Sequence, residues 1–187
     1  MLEKMPHALG DAMKYMRAGD EKLAFHRPAF KDAPESLHLT SPAFEDGGPI
    51  PMMFTADGDA VSPPLDWSGS PPGTRCVVLI AEDIDSPSPE PLVHALAWDL
   101  AANGSLDAGE LSSRHSEVET GRTSLFHEGW LAPDPPPGHG VHHYVFQVFA
   151  LNEPLALTGT PGRHAVLNAM EGRVIAKGRL TGLYQRD

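Results

Sequence analysis

Asp83, Asp85, His94, His142 and Tyr144 are the side chains in this sequence whose types could do chemistry together. Two imidazoles, two carboxylates and a phenol can hold an anion, ligate a divalent metal or move protons. The carboxylates fall in Glu82-Asp-Ile-Asp-Ser-Pro87, two residues apart, so a chain that stays extended puts both on one face. His94 lies seven residues beyond Pro87 in an apolar stretch, Leu92 to Trp98. His142 and Tyr144 head Val141-His-His-Tyr-Val-Phe-Gln-Val-Phe149, whose β-branched and aromatic residues predict a strand. A period of two puts His142, Tyr144, Phe146 and Val148 on one face and His143 on the other.

The element that must position them is the preceding loop. Pro133, Pro135, Pro136 and Pro137 cannot lie in a helix or a central strand, because each lacks a backbone N–H. Gly138 and Gly140 then permit tight turns and close approach of backbone to a ligand. A rigid proline loop therefore delivers an imidazole and a phenol side by side at the mouth of a strand, the layout of a small polar pocket on an apolar sheet.

Three uses of that pocket follow. An anion would take hydrogen bonds from a protonated His142, from His94 and from backbone N–H groups of the Gly138-His139-Gly140 turn, with Asp83 and Asp85 orienting the rings or holding a ligand ammonium. If a charged His142 holds a dianion, affinity falls as pH rises. A metal could use the same atoms, but no helical H-x-x-x-H or H-E-x-x-H pair concentrates them, and they are scattered over about sixty positions. Hydrolysis would need a general base near a nucleophile, and no G-x-S-x-G elbow is present. Taken singly, the aspartates are ordinary turn formers and His94 an ordinary core histidine. His139, at the loop tip, and His143, on the far face, are expected to lie outside the site.

The 187-residue length suits one domain with a real core. The 19 prolines and 18 glycines are spread as turns through the chain, which favours a β-rich fold over a helical bundle. A net charge of −11 argues against nucleic acid and against an anionic membrane surface. Cys76, the only cysteine, excludes an intramolecular disulfide and sits in the apolar run Cys76-Val-Val-Leu-Ile-Ala81 as a small hydrophobe. No window is apolar enough to span a membrane and no signal-peptide block opens the chain, so a cytoplasmic location is expected.

Leu9, Ala12, Met13 and Met16 form a helical stripe that Gly19 could terminate; it is expected to cover apolar surface on its own domain or on a second subunit. Asn103 to Glu128 reads as a long surface excursion. Thr160-Pro161 looks like an N-cap with Pro at the first helical position, followed by Ala165, Leu167, Ala169 and Met170 as an apolar side. A helical turn is expected over Val174 to Lys177 and a terminal strand over Leu180 to Tyr184.

Several segments, in order, resemble the phosphatidylethanolamine-binding protein family, also called Raf-kinase-inhibitor-like proteins, and in particular its bacterial branch. They are Leu39-Thr-Ser-Pro-Ala-Phe44, Gly48-Pro-Ile-Pro51, Asp57-Gly58, Ser62-Pro-Pro-Leu65 with Trp67, Gly73-Thr74, the D-x-D-x-P run ending at Pro87, the Val93-His94 pair, the P-P-x-G-x-G-x-H-x-Y run through Tyr144 and the closing Leu180-Thr-Gly-Leu-Tyr184. Ala95 departs from the bacterial pattern, which usually has Trp there, as does the polar Arg122-Thr-Ser124.

The resemblance implies a mainly β sandwich with a few peripheral helices over residues 37–187, residues 1–36 forming a helical arm outside it. It implies a small cavity for phosphate or phosphorylated head groups lined by Asp83, Asp85, Pro87, His94, Pro135, Pro136, Gly138, Gly140, His142, Tyr144 and Tyr184, without cofactor or metal. It further implies a cis Ser86–Pro87 bond, a homodimer and modulation of a protein partner such as a kinase or protease. A hydrolase using the same His and Asp residues, with or without a metal, is the alternative.

Overall fold

The computed structural model describes residues 6–13, 15–111 and 118–186. Their centre is a six-stranded mixed sheet built on three long strands, β4 (Cys76–Asp83), β5 (Leu92–Leu100) and β8 (His142–Leu151). With β2 (Gly48–Pro49), β7 (Glu119–Thr120) and β9 (Val174–Tyr184), the strand order is β2-β9-β8-β4-β5-β7. All neighbours are antiparallel except β2 and β9. A second, three-stranded sheet, β1 (His38–Thr40), β3 (Leu65–Ser68) and β6 (Gly104–Leu106), in the order β1-β3-β6, covers one face.

The large sheet is buried on both faces, which is why β4 reads as an unbroken apolar run rather than an alternating one. Leu79, Ala81, Phe146, Val148 and Leu180 join Leu39, Leu65 and Trp67 of the small sheet in one core. Their alternates Val78, Ile80, Val145 and Phe149 pack beneath helix α2 (Arg163–Met170) and the arm residues Leu23, Phe25 and Phe30. Each fully buried Leu, Ile or Phe contributes on the order of 1.5–3 kcal/mol.

Residues 20–30 run over that second face as three short 3-10 turns, Asp20–Lys22, Ala24–His26 and Pro28–Phe30. An irregular segment laid on a sheet has backbone groups to satisfy, and buried polar side chains supply the partners. Ala24 N–H donates to Glu82 Oε2 at 3.0 Å and Phe25 N–H to Gln147 Oε1 at 2.7 Å, while Lys177 Nζ donates to the Phe25 carbonyl at 3.1 Å. Leu23, Ala24, Phe25 and Phe30 of the arm therefore belong to this domain's core.

Strand β9 passes very close to neighbouring segments at two glycines. A Cβ on Gly178 would lie 2.2 Å from the Leu37 carbonyl oxygen, and one on Gly182 would lie 2.5 Å from Ile50.

Four local expectations are corrected. Val174 to Lys177 is strand, not a helical turn, because β8 offers a continuous edge from Leu151 to His142 for all of β9. Helix α2 starts two residues later than Thr160-Pro161 predicts, with Gly162 at its N-cap and no side-chain cap. The helical stripe near the N-terminus is short: α1 spans His7–Met13, Ala12 is exposed, Met16 lies outside it at 57% exposure, and the Leu9 side chain lies outside the described residues. The Ser86–Pro87 bond is trans, no cis bond occurring among the described residues. No helix among them is long and apolar enough to cross a membrane.

Candidate functional site

Asp83 ends β4, and the sheet register sets it opposite Leu92 of β5 on one side and Tyr144 of β8 on the other. His94 and His142 then fall two residues away on their own strands, facing the same way by the period of two. The proline loop folds over this end and is pinned from outside: Arg186 donates to Asp134 Oδ1 at 2.8 Å and to the Pro135 carbonyl at 2.9 Å, and Ala56 N–H donates to the Pro133 carbonyl at 2.9 Å.

The result is a cavity of about 170 Å³. Of the residues the sequence nominates, Asp83, Pro87, His94, Pro135, Pro136, His142 and Tyr144 line it, joined by Ser86, Leu125 and Asp134 among others. Asp85, Gly138, Gly140 and Tyr184 do not. Asp85 lies past the end of β4, where the extended form stops, and its carboxylate turns to the opposite side to accept His143 N–H and ring Nδ1, both at 2.6 Å. Gly138 and Gly140, with φ of 79° and 95°, make the turn, but that turn faces Arg17, which donates to the carbonyls of Val141 at 3.1 Å and His139 at 3.4 Å. Tyr184 pairs with His142 in the sheet, yet its hydroxyl donates to Asp57 Oδ2 at 2.6 Å.

Inside the cavity two polar atoms stand out. His94 is buried and its Nδ1 meets the Leu131 carbonyl at 2.6 Å. A carbonyl only accepts, so Nδ1 carries the hydrogen and Nε2 presents a lone pair; Nε2 is buried without a partner. Burial pushes the proton affinity of His94 below the ordinary histidine value, outweighing the pull of the Asp83 charge. The Tyr144 hydroxyl is likewise buried and unpartnered, and burial raises its pKa well above the usual phenol value. The two rings meet edge to face, centroids 5.0 Å apart. Buried polar atoms without partners cost free energy, and a cluster of them in a cavity marks where a ligand's polar atoms fit.

His142 behaves otherwise. Its Nδ1 meets Asp83 Oδ2 at 2.8 Å and its Nε2 meets His139 Nδ1 at 2.7 Å, so both ring nitrogens are engaged and neither is left to grip an anion. His139, expected to stay outside the site, is buried directly behind it. The H-x-x-H spacing of 139 and 142 is the signal that could have found it; Arg17, which pairs with Asp85, has no local signal at all. Among the described residues no three His, Cys, Asp or Glu side chains are grouped to hold a metal ion.

Comparison with known proteins matches residues 40–185 to the family model described as phosphatidylethanolamine-binding protein. A UPF0098 protein of Methanothermobacter thermautotrophicus is 35% identical over 156 residues, covering 80% of this chain and 99% of its own. LppC of Mycobacterium tuberculosis, provisionally named a lipoprotein, is 35% identical over 82% of this chain and 74% of its own. Among solved structures, CT736 of Chlamydia trachomatis, described as a homologue of the same family, superposes with a TM-score of 0.75 at 30% identity, covering 82% of this chain and 99% of its own. Escherichia coli YbcL shares the fold, with a TM-score of 0.76 at 23% identity over 81% of this chain and 99% of its own.

Proposed function

Because the chain belongs to the phosphatidylethanolamine-binding protein family, we propose that it is a binding protein whose cavity takes a phosphate or phosphorylated head group. The observation that carries this reading is the pair of unpartnered buried atoms, His94 Nε2 and the Tyr144 hydroxyl. Tyr144 O–H donates to a phosphoryl oxygen, and His94 Nε2 accepts from the P–OH of a monoanion. Asp83 and Asp134 in the same wall disfavour a full dianion and favour an ammonium on the ligand, as in phosphorylethanolamine.

Binding of the monoanion predicts that affinity falls as pH rises past roughly 6, where phosphomonoesters lose their second proton. Titration calorimetry and thermal melts with inorganic phosphate and with phosphorylethanolamine test the reading. Saturable stabilisation supports it by mass action, with EDTA as a control without effect. No shift with either probe sinks it. Recovery of intact phosphorylethanolamine after incubation separates binding from hydrolysis.

The reading extends to a cytoplasmic homodimer that meets a kinase or protease at the rim of the occupied cavity, where Leu125 is half exposed. Light scattering tests the assembly, and cell fractionation tests the location against the membrane attachment suggested by the name of LppC.

A further inference from the structure

The family match begins at residue 40, yet the segment before residue 20 ends on the site. His139 Nε2 meets the Met13 carbonyl at 2.8 Å, and beyond His139 the chain of contacts runs through His142 to Asp83 in the cavity wall. Beside it, Arg17 pairs with Asp85, and Gly19 N–H donates to the Ile84 carbonyl at 2.9 Å. Helix α1 lies directly on the proline loop, since a Cβ on Gly10 would stand 1.9 Å from the Pro137 carbonyl oxygen.

Hydrogens can be counted along this chain. Met13 offers only a carbonyl, so His139 Nε2 carries a hydrogen. A neutral His139 then accepts at Nδ1 from His142 Nε2–H, and the His142–Asp83 contact needs a third hydrogen. A fourth would set N–H against N–H between His139 and His142 and break the link to the arm.

We propose that the N-terminal arm is a ligand-coupled part of the cavity: docked through His139 it fixes His142 and Asp83 in the wall, and acid releases it. The ligand half rests on the function proposed above. The charges around the histidine pair are Arg17 from the arm, Asp83 and Asp85 from the end of β4, His94 from β5, Asp134 from the loop and, on β8, His143 and the Tyr144 phenol. Burial lowers the proton affinity of His139, with the Met13 carbonyl opposing and His142 and Arg17 adding to the effect. With its value depressed in the docked state, His139 makes its full contribution to docking above the ordinary histidine pKa of ~6.5, and that contribution is lost as pH falls below it.

Three full-length proteins test this: wild type, Gly10→Ala and His139→Phe. Gly10→Ala alters no side chain of the cavity and favours helix intrinsically, so what it loses is the seat on Pro137. Hydrogen exchange without ligand is measured first. Protection of α1 and of Met16 to Gly19 is expected to be high in wild type at pH 7.5 and at least tenfold lower at pH 5. It should be low in Gly10→Ala at both pH values, and low and independent of pH in His139→Phe. Wild-type protection that is flat with pH, or unchanged in His139→Phe, overturns the latch. Calorimetry with phosphorylethanolamine and with inorganic phosphate follows. Gly10→Ala should bind at least fivefold more weakly, and saturating ligand should raise wild-type arm protection by a matching factor. Equal affinities with the arm released overturn the coupling. If wild type binds neither probe, the function proposed above falls and the ligand half with it, while the exchange comparison still decides whether His139 holds the arm.

Discussion

Asp83 Oδ1 accepts the backbone N–H of Asp85 at 2.8 Å, so the first carboxylate closes the turn that sends the second to the opposite side of the sheet. Asp83 keeps Oδ2 for His142 in the cavity wall, and Asp85 serves His143 and Arg17 behind it. Two like charges two residues apart thus hold different partners, each within its own set of donors.

Tyr144→Phe removes a buried hydroxyl that has no partner in the free protein. Stability should stay level or rise by up to about 1 kcal/mol, since an unsatisfied polar atom is deleted at constant shape. Affinity for phosphorylethanolamine should drop about tenfold, the worth of one good hydrogen bond. Thermal melts and calorimetry on the same preparation check both; a variant that binds as wild type does removes Tyr144 from the site.

Glu82 is fully buried and holds Ala24 N–H, Gln147 Nε2 at 2.8 Å and Arg163 Nε at 2.5 Å. Glu82→Leu strands those donors and should cost about 3 kcal/mol, which for a chain of this size lowers the melting temperature by roughly 6–12 °C. A loss under about 1 kcal/mol by denaturant titration would show that residues 20–30 dock without this anchor.

Acid should weaken the fold in two stages. The lowered proton affinity of His94 makes its contribution complete above ~6.5 and lost as pH falls below that value. For Asp85, burial pulls upward most strongly, but the hydrogen bonds from His143 and Arg17 together hold the carboxyl below its ordinary ~3.9, so this contribution disappears only at lower pH. Melting temperature should be level from about pH 7 to 8.5 and decline below ~6.5, less steeply in His94→Leu. A variant profile as steep as wild type assigns the first stage elsewhere.

The Cys76 thiol is pushed up to about 12 by burial and by the neighbouring Asp99, and its Sγ donates to the Glu153 carbonyl at 3.6 Å. A thiol so far from ionisation is a poor nucleophile. Alkylation by iodoacetamide at pH 8 should be at least a hundredfold slower in the native protein than in guanidinium chloride, as mass spectrometry would read it. Comparable rates would place Cys76 at the surface.

The long strands and their faces were legible because period-two patterning is a local property: Tyr144, Phe146 and Val148 pack in one core, Val145 and Phe149 in the other. Asp83 and Asp85 would share a face only in a strand that ran on through both, but β4 ends at Asp83 and nothing local in the sequence marks that end. Val174 to Lys177 is too short to declare itself, and the edge of β8 decides it. The cavity's contents followed from motif and strand phase together. The engagement of both His142 nitrogens did not, since His139 and the Met13 carbonyl reach it through the fold alone.

The two bare positions on β9 settle a question that apolar patterning leaves open. Sliding β9 along β8 by two residues would keep every side chain on its own face, so burial alone cannot reject the slipped sheet. Such a slip carries Ala176 or Leu180 to the place of Gly178, where a single methyl already collides with the Leu37 carbonyl. It also brings a side chain to the place of Gly182, against Ile50 and Phe44. A slip of four leaves at least one of the two places filled. Glycines spaced four apart therefore act as a key for strand alignment, and Gly178→Ala should reveal itself first as misaligned, aggregation-prone folding intermediates rather than as a mere loss of native contacts.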